Sequence, residues 1–217
     1  MKIAEIKKTQ LKSAYPDLED ISAELDSLND CLLIDTINWA DFPYKPQVKL
    51  SILYSDKEIF LKYYICEKYF KAEKTESNQN VFEDSCVEFF VSPEDDGIYY
   101  NLEINGIGTC LLGTGTGRAD SIRANPEIIR KIRILSSVGN KPVREKEGEF
   151  SWDITLAIPF DVFFHHKIKE LKGRSFRANF YKCGDKLAVP HYVSWSRIGT
   201  PKPDFHQPAW FGVLNFI

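Results

Sequence analysis

Hydrophobic and polar positions change their period near residue 31. In residues 17–28 (DLEDISAELDSL), Leu18, Ile21, Leu25 and Leu28 recur every three or four positions. That spacing predicts one face of a short helix, with Asp17 placed to cap it. Beyond it, alternation takes over. QVKLSILY (47–54) and EIFLKYYIC (58–66), joined by Ser-Asp-Lys, read as two antiparallel strands, with Ile59, Leu61, Tyr63 and Ile65 on one face. The charged, aperiodic KAEKTESNQN (71–80) reads as a loop. CVEFFV (86–91) and IYYNLEIN (98–105) flank the turn SPEDDG and read as a hairpin. Val87, Phe89 and Val91 then match Ile98, Tyr100, Leu102 and Ile104 on one face. Glu88, Tyr99, Asn101, Glu103 and Asn105 take the other. Pairing Val91 with Ile98 sets Glu88 opposite Asn101, with Glu103 a diagonal neighbour. A slip of one residue would drive these polar groups into the core.

FSWDITLAIP (150–159) alternates with Trp152 on its apolar face, so Trp152 is expected in the core. PEIIRKIRILSS (126–137) fits either a helical turn or a strand. FDVFFHHKIKEL (160–171) suits a short helix behind Pro159, and RANFYKC (177–183) and WFGVLNF (210–216) are the last strands. Many short strands joined by turns predict an all-β fold: an antiparallel β-sandwich, immunoglobulin- or jelly-roll-like, with short peripheral helices. With no repeat and no linker, residues 1–217 read as a single domain, of which 1–30 form an N-terminal helical extension.

Composition narrows the function. The 217 residues are 43% hydrophobic and 13% aromatic, enough for a sizeable core. A net charge of −3 and a pI near 5.9 argue against nucleic-acid binding. No stretch approaches the ~20 apolar residues that cross a bilayer, and no polybasic run offers membrane attraction. The N-terminus lacks a signal-peptide core. The cysteines at 31, 66, 86, 110 and 183 form no CxxC pair. Together these lead to an expectation of a cytoplasmic chain with reduced thiols.

The last quarter, residues 177–212, interleaves rings with Asn179, Lys182, Asp185, His191, Arg197, Asp204 and His206. Such a mixture either closes the core around a proline-shaped loop or holds a flat, hydroxyl-rich ligand. Sugar rings pack C–H groups on aromatic planes and need fixed donors and acceptors for their hydroxyls. Glu88, Asn101 and Glu103 supply one polar wall, and Asn179 and Tyr181 another. Trp195 is the best exposed platform, while Trp39 and Trp210 read as core or loop anchors. Glu88 and Glu103 also raise glycosidic hydrolysis, since two carboxyls ~5–9.5 Å apart serve such enzymes. No zinc spacing links His165, His166, His191 and His206, and no GxSxG occurs. Glu94, Asp95 and Asp96 read as a solvated hairpin tip in preference to a calcium site. The glycine-rich turn at 113–117 lacks the context of a nucleotide loop.

In order, the chain carries Phe82 and Asp-Ser-x-Val-Glu-x-Phe from Asp84, then Tyr-x-Asn-x-Glu from Tyr99 to Glu103. Trp-x-x-x-x-x-Ile-Pro follows from Trp152 to Pro159, then Trp195-Ser196 and Phe-Gly-x-Leu from Phe211 to Leu214. This order resembles the family 9 carbohydrate-binding modules, and more closely their stand-alone, family-9-like relatives, over roughly residues 35–217. The resemblance implies a β-sandwich that binds saccharides without catalysis, often beside glycoside hydrolases. In the family two tryptophans clamp a sugar ring. Phe82 stands at one of those positions, six residues ahead of the family glutamate, matched by Glu88. Trp195 matches the other. The resemblance also implies structural calcium, with no ligands mapped here. The expected sugar-binding set is Phe82, Glu88, Asn101, Glu103, Asn179, Tyr181 and Trp195. The alternatives are a glycoside hydrolase using Glu88 and Glu103, and a protein-interaction module. The Pro201–Pro208 loop, with Asp204 and His206, has no counterpart in the resemblance.

Overall fold

A computed structural model describes residues 1–217. Its strands are β1 (Ile3–Lys8), β2 (Leu32–Leu33), β3 (Thr36–Ile37), β4 (Gln47–Tyr54), β5 (Glu58–Ala72), β6 (Cys86–Ser92) and β7 (Tyr99–Asn105). The chain continues with β8 (Cys110–Gly115), β9 (Ile122–Arg123), β10 (Arg133–Ser136), β11 (Val143–Pro159), β12 (Ser175–Cys183), β13 (Tyr192–Ser194) and β14 (Gly212–Phe216). Two helices, α1 (Leu18–Asp26) and α2 (Pro126–Ile129), complete it. The order β14-β12-β6-β7-β8-β9 forms one layer and β10-β11-β5-β4 the other. β1 joins them, pairing in parallel with β14 through Ile3–Ile6 and with β4 through Lys7 and Lys8. The result is the expected all-β, sandwich-like fold.

Alternation builds the central core. Ile59, Leu61, Tyr63 and Ile65 of β5 meet Val87, Phe89 and Val91 of β6 and Tyr100, Leu102 and Ile104 of β7 in one apolar cluster. The Tyr63 hydroxyl crosses the interlayer space and donates to the Glu88 carbonyl at 2.9 Å. On the outside of the second layer, Ile21 and Leu25 of α1 pack on Leu53, Phe60 and Ala157. Outside the first layer, loops close a separate cluster that includes Trp39, Phe90, Tyr99, Tyr181, Ile198, Phe205 and Phe211.

Several local expectations are revised. The N-terminal segment contributes a strand as well as a helix, because β1 satisfies the edges of both layers. Asp17 occupies the N-cap position but its side chain makes no capping bond. β5 runs on to Ala72, paired with the equally long β11. Residues 126–137 adopt both structures weighed for them, α2 and then β10. The segment after Pro159 forms only one turn, Phe160–Val162. Trp152 is core as expected, its Nε1 donating to Glu67 Oε1 at 2.8 Å. The hairpin register shifts by two residues: Val91 pairs with Tyr100, and Glu88 lies directly opposite Glu103. A two-residue shift preserves every side-chain face, so alternation alone does not distinguish the two registers.

Candidate functional site

The outer face of the first layer carries successive rungs of aligned residues. One runs Tyr181–Glu88–Glu103–Leu111, and the next Asn179–Phe90–Asn101–Gly113–Arg123. Over their centre lies a cavity of about 310 Å³. Glu88, Phe90, Asn101 and Glu103 form its floor. Phe82, Tyr192 and Phe205 supply ring walls, and Arg118, Arg123, Asp185 and His206 add polar ones.

The three polar side chains of the floor, Glu88, Asn101 and Glu103, are 1–4% exposed, and each is tied down at one side-chain atom only. Cys183 Sγ donates to Glu88 Oε1 at 3.0 Å, and Asn101 Nδ2 to Glu103 Oε1 at 2.8 Å. Glu88 Oε2, Asn101 Oδ1 and Glu103 Oε2 are buried without a hydrogen-bond partner. Orphaned buried acceptors are costly, so a site that leaves them free is built to be completed. Burial, and then the facing Glu103, push the Glu88 carboxyl well above its ordinary range. Burial also raises Glu103, with the Asn101 bond and Arg123 opposing.

The proline-rich loop supplies Phe205 and His206 to the wall. Phe205 stacks on Tyr181 with ring centroids 4.1 Å apart and planes 9° from parallel. Asp204 accepts from Arg118 at 3.0 Å and from Gln207 Nε2 at 2.6 Å. His206 Nδ1 lies 2.7 Å from the Tyr99 hydroxyl. Burial, aided by Arg118, lowers the His206 pKa to about 4, so the ring is neutral near pH 7. Burial lifts Asp185 to about 6.

Of the residues expected at the site, Phe82, Glu88, Asn101 and Glu103 converge on this cavity. The other three do not line it. Trp195, expected as an exposed platform, is 2% exposed and belongs to the central core beside Phe180. Residues of β12 and β14 enclose the ring. Asn179 is consumed in fixing a loop: its Oδ1 accepts from Ser196 N at 2.8 Å and its Nδ2 donates to Ser196 O at 3.0 Å. Tyr181 lies under Phe205, its hydroxyl donating to the Phe205 carbonyl at 3.2 Å.

The expected site set left out Phe90, Arg118, Arg123, Asp185, Tyr192, Phe205 and His206, which all line the cavity. The ring-and-polar interleaving of residues 177–212 was the signal for the last four. The arginines lie in a segment with no pattern of its own. Of the anchors, Trp39 is buried and donates to Thr200 O at 2.8 Å, whereas Trp210 is 42% exposed.

Two carboxylates of the acidic turn make protein contacts. Asp96 Oδ1 accepts from Ile98 N at 3.0 Å and its Oδ2 lies 3.2 Å from His166 Nε2, while Glu94 pairs with Arg174 at 3.2 Å. Glu94 and Asp96 thus have protein partners, and the resemblance maps no calcium ligands onto this turn.

The family model for carbohydrate-binding family 9 matches residues 21–216. A candidate carbohydrate-binding protein from Bacteroides uniformis has 40% sequence identity and a TM-score of 0.95, covering 100% of this chain and 99% of that one. A family 9 module from Caldicellulosiruptor kristjanssonii in complex with glucose shares the fold at 10% identity and a TM-score of 0.60, covering 100% and 96%. In complex with cellotriose it aligns at 10% identity and 0.58, covering 99% and 93%. No curated protein matches the chain. The match over nearly its whole length places the chain in carbohydrate-binding family 9.

Proposed function

We propose that this protein binds a saccharide in the cavity above Glu88, Asn101 and Glu103, without cleaving it. The observation that carries the reading is the trio of buried, unpartnered acceptors on the cavity floor. Arg118, Arg123 and His206 bring donor groups to the same space. A hydroxyl both donates and accepts, so a polyol satisfies floor and wall together. Phe82, half-buried, and Tyr192 offer ring surface for the C–H faces. Family membership and the glucose and cellotriose complexes of the Caldicellulosiruptor module support this ligand class. Glu88 and Glu103 bond the ligand's hydroxyls, and Phe82 packs on its ring. A place beside glycoside hydrolases in carbohydrate breakdown follows the family pattern.

Hydrolysis is the weaker reading. Acid–base catalysis on a glycosidic bond needs two carboxyls whose environments push their pKa values apart. Glu88 and Glu103 lie side by side on one sheet face, and burial raises both.

Calorimetry against glucose and cello-oligosaccharides tests the proposal. Glu88→Ala should abolish binding while the circular dichroism spectrum is unchanged. Binding that survives this change would move the site elsewhere. Turnover of the same saccharides, lost in Glu88→Gln, would replace the reading with the enzymatic one.

A further inference from the structure

Beside the cavity floor, on the same outer face, the sheet register gathers a second set of groups. Cys183 of β12 lies directly opposite Cys86 of β6, and Glu88 follows Cys86 by two residues on the same face. The two Sγ atoms and a Glu88 carboxylate oxygen lie within 4.8 Å of one another. Cys86 is 0%, Cys183 1% and Glu88 2% exposed. Glu88 Oε2 has no partner. The saccharide reading uses neither thiol.

We propose that Cys86, Cys183 and Glu88 form a binding site for a zinc-class divalent cation. Zinc takes sulfur at ~2.3 Å and carboxylate oxygen at ~2.0–2.2 Å in a tetrahedron. Those bond lengths set the donors roughly 3.5–3.8 Å apart. Side-chain rotations on strands already held in register close the remaining gap. Two sulfur donors exclude calcium and magnesium, which take oxygen, and the carboxylate favours zinc over monovalent copper. Glu88 reaches the cavity floor, so the fourth position opens on that side to water or a ligand atom. On binding, each thiol releases its proton to solvent as a metal–sulfur bond forms, and a protonated Glu88 carboxyl releases its own as the metal–oxygen bond forms, with no change of oxidation state. The Cys183–Glu88 hydrogen bond is exchanged for coordination.

The test uses the full chain, reduced and kept anaerobic, with Cys31→Ser and Cys66→Ser removing the more accessible thiols. Titration with Cd²⁺ alone should saturate at one equivalent with thiolate-to-metal charge-transfer absorption. Co²⁺ alone should give the intense visible bands of a four-coordinate site. Cys86→Ser and Cys183→Ser should each remove the charge-transfer absorption, and Glu88→Gln should weaken binding about tenfold or more. Where a serine variant fails to fold, the alanine variant at the same position is read in its place. No absorption with stoichiometric Cd²⁺, or absorption that persists in Cys86→Ser, would overturn the proposal. Neither result bears on saccharide binding by the metal-free protein.

Discussion

Glu88 and Glu103 face each other directly across β6 and β7, two buried carboxyls without a cation in hydrogen-bonding contact. Burial lifts Glu103 from 4.5 to about 7, so the fold holds its proton where the unfolded chain has lost it. Stability therefore falls as pH rises between those two values and levels off above them. Glu103→Gln keeps an acceptor for Asn101 but cannot ionise. It should be more stable than the parent at mildly alkaline pH by about 2 kcal/mol. The gain should read as a rise of about 4–8 °C in Tm. Thermal unfolding across pH checks this: the gap should close as pH falls to the ordinary carboxyl range. A gap independent of pH would show that the carboxyl is not the cause.

Gly113 stands opposite Asn101 on β8, and the amide occupies the space where a side chain would begin. A Cβ at 113 would collide with Asn101 Oδ1 and lie 2.9 Å from Nδ2. Gly113→Ala should turn the amide off the cavity floor and break its bond to Glu103. Saccharide affinity is expected to fall at least tenfold, with overpacking costing about 1–3 kcal/mol. Calorimetry and urea unfolding on one preparation separate the two effects. Full affinity would mean that Asn101 does not hold the ligand.

Trp195 fills the central core against Phe180, and Gly212 of β14 passes close under its ring. Trp195→Ala should cost about 3–5 kcal/mol and depress Tm sharply. Below that Tm, saccharide affinity should persist, since the ring does not line the cavity. Gly212→Ala should also destabilise, because the added methyl meets the ring and sits 2.7 Å from the Lys2 carbonyl. Loss of binding by a Trp195→Ala protein that melts normally would restore the platform role.

Lys182 is buried in a polar knot on the inner side of β12. Its Nζ lies 2.8 Å from Glu67 Oε2 and donates to His191 Nε2 at 2.8 Å and to the Cys183 carbonyl at 2.9 Å. Lys182→Met strands a buried carboxylate and should cost about 3–5 kcal/mol. Burial, and then Lys182, hold the His191 pKa well below its ordinary 6.5. The folded ring stays neutral while the unfolded one gains a proton, so stability drops as pH falls through 6.5. In Lys182→Met this acid-side loss should shrink, because Glu67 is then free to stabilise a charged imidazole 4.0 Å away. Urea unfolding at successive pH values measures both. An unchanged acid slope would show that Lys182 does not set the state of His191.

The alternation in the chain determined much of this molecule. It marked the two faces of β6 and β7, and so put Glu88, Asn101 and Glu103 together on the outer side whichever register was chosen. It placed Trp152 and the apolar side of β5 inside, because period two leaves a half-buried strand little freedom. The order of motifs pointed to the family.

Tertiary structure alone decided the rest. Whether Glu88 faces Asn101 or Glu103 depends on how many residues the turn takes up, and both choices bury the same side chains. β1 shows no strong alternation; its place comes from the two sheet edges that it joins. Most of all, the sequence could not tell an aromatic that faces a ligand from one that faces the core. Trp195 and Phe205 sit in similar polar, proline-marked surroundings. One is enclosed by β12 and β14, and the other is carried by its loop across to Tyr181 and the cavity. That difference arises from contacts between segments far apart in the chain, which no local pattern records.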